Sequence, residues 1–141
     1  MEVIIRPTTE VATELVAQLV AEKVKKKPFL CLGLATGRTM EIVYNKLAEI
    51  HEEGLDFSLV RTYNLDEYIG LSQEDPNSYR HYMNEHLFNK INMDLRNTHL
   101  PLGMAPDLDV ECILYEKSIR HSGGIDLQLL GIGRSGHIGF N

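Results

Sequence analysis

The sequence predicts a three-layer α/β fold: a mostly parallel sheet with helices on both faces. Three observations predict it. Short apolar runs alternate with segments of helical periodicity along the whole chain. Residues 29–34, FLCLGL, are apolar at nearly every position, the pattern of a strand covered on both sides. Three reactive loops, ATGRT, DEY and GRSGH, each follow such a run, and ligands of open α/β sheets bind beyond the carboxyl ends of strands. A βαβα order favours parallel pairing through right-handed crossovers.

Taken in order, residues 3–6 read as a short strand. Thr8 and Thr9 offer caps for a helix reaching about Lys26, with Val11, Leu15, Leu19 and Val24 near one face. The strand at 29–34 opens into the loop 35–39. A helix follows, its stripe made of Met40, Val43, Tyr44, Leu47 and Ile50, and Gly54 ends it. Residues 59–65 form the next strand and run into Asp66 and Glu67. A helix then carries Tyr79, Met83, Leu87 and Ile91, and residues 98–100 form a short strand. Asp107 caps a helix that stops at Gly123 and Gly124, and residues 125–130 form the last strand. No repeat or linker interrupts this order, so residues 1–141 read as a single α/β domain.

Bulk properties narrow the function. With 43% hydrophobic and 24% charged residues, the chain has the composition of a globular protein. Its net charge of −6 argues against nucleic acid as a partner. The basic run at 25–27 suits the negative end of a helix dipole. No apolar run reaches membrane-spanning length, and the first residues do not have the pattern of a signal peptide. Cys31 and Cys112 are far apart and sit in apolar stretches, so a reducing, cytoplasmic setting is expected.

Residues 131–136 match G-x-G-x-x-G, but a dinucleotide site needs a following helix and a distant acid, so this match is rejected. The turn either uses glycine's conformational freedom alone or brings its backbone at Gly136 close to a ligand, with His137 beside it. Thr36, Gly37, Arg38 and Thr39 lie between a buried strand and a helix start. There, free N–H groups and a guanidinium suit an anion, although a threonine acting only as a cap fits equally. Asp66 and Glu67 point to opposite faces at a strand end, so one faces the cleft as a base, and Glu67 is a candidate substrate contact. His81 and His86 are five apart, unlike a zinc pair, and His51, His99 and His121 are ungrouped; no metal is expected. No G-x-S-x-G elbow is present.

The segments LGLATGRT, YNLDEYIGL, SYRHYMNEHLF, NTHLP and GGIDLQLLGIGRSGHIGFN, in this order over essentially the whole chain, closely resemble glucosamine-6-phosphate deaminases. The resemblance implies a Rossmann-like sheet of the sugar-phosphate isomerase/deaminase type. It implies a hydrolase and isomerase of amino-sugar catabolism, cofactor-free, that converts glucosamine 6-phosphate and water to fructose 6-phosphate and ammonia. The full-length family implies a homo-oligomer. Asp66 matches the family's enolisation base and His137 its ring-opening histidine, and residues 36–39 match its phosphate loop. Arg38 and Met40 stand where the family usually has Ser and Pro. Ser135 stands where it normally has an aspartate, and the family has a glutamate just beyond Asn141. Ser135 hydrogen-bonds but supplies no charge to the histidine. From the resemblance, the chain is expected to be the N-terminal portion of a longer enzyme, with an open strand edge, marginal stability and a tendency to self-associate. A relative that binds sugar phosphate without turnover is the alternative, as is a 6-phosphogluconolactonase or ribose-5-phosphate isomerase; the DEY and IGL segments favour the deaminase.

Overall fold

The structure, a computed structural model, describes residues 1–140. The elements run α1 (Thr9–Lys26), β1 (Cys31–Leu34), α2 (Arg38–Glu52), β2 (Arg61–Asn64), α3 (Tyr79–His86), β3 (Thr98–His99), α4 (Leu108–His121) and β4 (Leu127–Gln128). Short 3₁₀ turns at Phe88–Lys90 and Leu95–Asn97 separate α3 from β3. The strands form one parallel sheet in the order β3-β2-β1-β4. The chain therefore builds outward from β1 to β3 and returns to add β4 on the other side of β1. That reversal creates a topological switch point between β1 and β4, where open sheets place their ligands.

Register explains the two faces. Leu32 pairs with Thr62 and Leu34 with Asn64, so these side chains share one face. Leu32 and Leu34 join a core with Val20 and Val24 of α1, Val43 and Leu47 of α2, and Met83 of α3. On the opposite face Gly33 pairs with both Tyr63 and Gln128, and Tyr63 pairs with His99. There α4 is held by polar contacts: the Tyr115 hydroxyl donates to the carbonyls of Asn64 (2.7 Å) and His99 (3.2 Å). Gly33 is required because the Gln128 side chain occupies the space a Cβ would need. Asp126 sets the register of β4 by accepting from the Cys31 N–H at 2.9 Å and from Lys27 Nζ at 2.6 Å.

Two local expectations are corrected. Residues 3–6 form no strand, and Val3, Ile4 and Ile5 are exposed. Among the described residues no strand lies beside their backbone, and Pro7 brings no N–H to extend a ladder. Helix α1 has the expected span, and the Thr8 side chain accepts from the Val11 N–H. It buries Thr13, Ala17, Val20, Ala21 and Val24, while Val11 and Leu19 face outward. The buried stripe has the same period but smaller side chains, which lets α1 approach its neighbours closely. Thr13 is tolerated there because its hydroxyl donates to the carbonyls of Thr9 and Glu10.

The layer holding α4 is thinly covered. No α4 residue is buried, and Val110, Ile113 and Leu114 are exposed beside a sheet that ends on the two-residue strand β4. Self-association through this face is expected, and Ile113→Lys should reduce it. Sedimentation velocity across a concentration series checks this: a purely monomeric 16.0 kDa species at every concentration would contradict it.

Candidate active site

The loop after β1 is shaped by its own backbone. Gly37 caps α2 at φ +117°, a region that disfavours side chains, and no side chain caps the helix. The N–H groups of Met40 and Glu41 turn back to the Gly37 carbonyl. Those of Arg38 and Thr39 have no partner among the described residues. The result is an uncapped helix N-terminus, suited to an anion. Two tyrosines hold the turn. The Tyr44 hydroxyl, fully buried, donates to the Ala35 carbonyl. The Tyr82 hydroxyl brackets Gly37, donating to its carbonyl at 2.9 Å and accepting from its N–H at 3.2 Å. Burial raises the pKa of both phenols, so they remain donors.

Asp66 follows β2 at the same edge. Its carboxyl is half-buried, and that burial raises its proton affinity; nearby Glu67 adds to the effect, while the Phe140 N–H bond opposes it. Gly139, at φ +61°, lies against it, and a Cβ there would stand 2.9 Å from Asp66 Oδ2. The backbone of the last loop therefore reaches the carboxylate only because residue 139 is glycine. Phe140 stacks on Tyr79, with ring centroids 5.5 Å apart and planes at 22°.

The last loop brings His137 to the cleft. The Gly133 N–H donates to the His137 carbonyl at 2.8 Å, and the Gly136 N–H donates to the Gly133 carbonyl at 2.8 Å. Gly136 holds φ +79°, and the imidazole fills the space beside Gly133 that a Cβ would need. Ser135 Oγ lies 2.7 Å from His137 Nδ1. The hydroxyl donates when the ring proton is on Nε2 and accepts when it is on Nδ1.

These loops enclose a cleft of about 340 Å³ at the switch point. Thr36, Gly37, Arg38, Thr39, Asp66 and His137 all line it. Ser135 and Gly136 stand behind His137, one bonding its ring and the other shaping its turn. Glu67 is placed elsewhere. Its carboxylate accepts from the N–H groups of Tyr79 (2.8 Å) and Arg80 (3.0 Å), capping α3, and it is absent from the cleft lining. Glu67→Ala should therefore cost about 1–2 kcal/mol of stability, the scale of a lost charged cap, read as a lower urea midpoint.

Sequence reasoning missed Tyr79, Arg134 and Gly139, which also line the cleft. The Tyr79 phenol bonds both Tyr68 and Thr36, and burial pushes its pKa up to about 12. The helical period placed this ring in the core stripe, and nothing local marked it as cleft-facing. Arg38 and Arg134 have no side-chain partner among the described residues, leaving two guanidinium groups free at one cleft. Among the described residues no three His, Cys, Asp or Glu side chains are grouped to hold an ion. No helix of the described residues is long and apolar enough to cross a membrane.

Sheet order, switch point and loop chemistry together define an open-sheet, doubly wound α/β protein with an anion-receptive cleft. The model for the family of glucosamine-6-phosphate isomerases/6-phosphogluconolactonase matches residues 7–139, and the chain belongs to that family. A glucosamine-6-phosphate deaminase of Geobacillus sp. (strain WCH70) is 51% identical over the whole chain, which spans 57% of that relative. A solved structure described as a monomeric glucosamine-6-phosphate deaminase of the NagB superfamily superposes with a TM-score of 0.96. It is 46% identical over 99% of this chain and 58% of its own. The 6-phosphogluconolactonase of Thermotoga maritima shares the fold at TM-score 0.78, with 24% identity over 97% of this chain and 61% of its own. The chain thus spans just over half the length of the proteins it matches. The expectation of a hydrolase is corrected, because the relatives alike over the whole chain are deaminases.

Proposed function

We propose that this cleft serves an amino-sugar-phosphate deaminase, converting glucosamine 6-phosphate and water to fructose 6-phosphate and ammonia. One observation carries the reading: a half-buried carboxylate of raised proton affinity, an imidazole and an uncapped helix N-terminus meet in a single cleft. In this account the substrate phosphate sits on the N–H groups of Arg38 and Thr39 with the Arg38 guanidinium beside it. His137 moves a proton between the ring oxygen and the anomeric hydroxyl to open the sugar. Asp66 takes the proton from C2 and returns it to C1 through an enolamine; water then adds at C2 and ammonia leaves. A carboxylate of higher proton affinity is the stronger base. Phosphate anchoring remote from the reacting carbons holds them in place.

The same reading includes residues 1–141 as one domain, a cytoplasmic setting and a homo-oligomeric full-length protein. The similar structure described as monomeric favours one chain per site instead. Titrating labelled protein with glucosamine 6-phosphate tests the anchoring: the amide signals of Arg38 and Thr39 should move saturably, and unmoved signals there would sink it.

A second reading, binding without turnover, is favoured by Ser135, which gives His137 a neutral partner. Ser135→Asp decides between them. The deaminase reading expects turnover to rise about tenfold, the scale of one charge-assisted hydrogen bond gained. A variant as inert as its parent supports the binding reading.

A further inference from the structure

We infer that the opposite edge of the sheet carries a second anion-binding site, fitted to phosphate or a small phosphate monoester and built from Arg61, Asn97, His99 and His121. Arg61 opens β2, so it stands at the amino ends of the strands, roughly 16 Å along the strand direction from Asp66. Its side chain shares a face with Tyr63 and His99, under α4. A pocket of about 340 Å³ lies there, and none of its lining residues lines the active-site cleft.

Charge singles this pocket out. The chain has net charge −6, yet the pocket is lined by two arginines and two histidines with no Asp or Glu among them. Arg96 is already held by Asp94, through Nε and through Nη2 at 2.7 Å. The Arg61 guanidinium makes no hydrogen bond or ion pair among the described residues, which leaves its fork of donors free.

The walls are fixed and polar. The Tyr63 hydroxyl lies 2.8 Å from Ser118 Oγ and 2.6 Å from Ser122 Oγ, and Ser122 donates to the Ser118 carbonyl, so these hydroxyls satisfy one another. His99 is stacked on Tyr63, with centroids 4.5 Å apart at 20°, and neither ring nitrogen has a partner among the described residues. Burial, then Arg61 and Arg80, lowers its pKa, so it presents a neutral ring with one N–H to give. The His121 Nδ1–H donates to the Lys117 carbonyl at 2.7 Å, so Nε2 is the outward nitrogen and donates to an anion only when the ring carries both protons. The Asn97 side chain is likewise uncommitted. One free guanidinium, an amide and the His99 N–H, with His121 Nε2 as a further donor in the doubly protonated ring, match the oxygens of a phosphate group.

Histidine ring spectra of labelled protein, titrated with inorganic phosphate and then glucosamine 6-phosphate at constant ionic strength, test this. Saturable shifts of His99 and His121 are expected, separate from those of His137. Arg61→Gln should weaken them about tenfold and leave the His137 response intact. Asn97→Asp, at the partly buried end of the 3₁₀ turn before β3, should abolish them by adding a carboxylate, and it carries the test if Arg61→Gln fails to fold. Shifts confined to His137, shifts matched by chloride, or a response undiminished in both variants would overturn the site.

Discussion

Asp66→Asn is expected to lower ammonia release by about 10²–10⁴-fold, the usual contribution of a positioned base, while the anchoring of phosphate on the loop after β1 stays nearly intact. The amide keeps an oxygen for the Phe140 N–H but takes no proton from carbon. The same substitution should stabilise the fold at neutral pH. The folded carboxyl holds its proton more tightly than the ordinary aspartate value of 3.8. Stability therefore falls as pH rises from that value through the folded one. An asparagine has no such cost, so its melting temperature should exceed the parent's at pH 7 and converge with it in acid. Lost turnover in a protein at least as stable as its parent separates a chemical role from a structural one.

Leu47→Ala is expected to destabilise the fold by about 2–5 kcal/mol, read as a lowered urea midpoint. Leu47 is fully buried in α2 within the core shared by α1, α3 and the sheet. Such a loss is a large part of the roughly 5–15 kcal/mol that holds a domain together. Because Gly37 of the cleft caps α2, the change is expected to loosen the cleft as well. Leu19→Ala is the control. Leu19 is 47% exposed, so its truncation should move stability by less than about 0.5 kcal/mol. Equal losses at the two positions would contradict the packing of α1.

The sheet was legible where one residue pattern had one physical meaning. The run FLCLGL reads as a strand covered on both sides, and its last four residues are the buried β1. Asp107 and Gly54 marked a helix start and a helix end by their own chemistry. Residues 3–6 misled because an apolar, β-branched run becomes a strand only beside a partner. Helix α1 misled because two stripes share one period, and side-chain size together with threonine's back-bonding decides between them. At the cleft, Gly37, Gly136 and His137 stood out in the chain itself, whereas the residues alone left Asp66 and Glu67 open and only the family resemblance chose Asp66. The role of Glu67 was not legible: whether a carboxylate faces a ligand or a helix terminus depends on where α3 lies, twelve residues downstream. Tyr79 and Gly139 join the cleft through the same long-range packing, which leaves no local mark.

Ammonia release from glucosamine 6-phosphate by this chain tests the central claim most directly, with Asp66→Asn alongside and circular dichroism confirming that both are folded. The account predicts release by the parent that Asp66→Asn eliminates. Folded parent protein with no release, or release that survives Asp66→Asn, would contradict it.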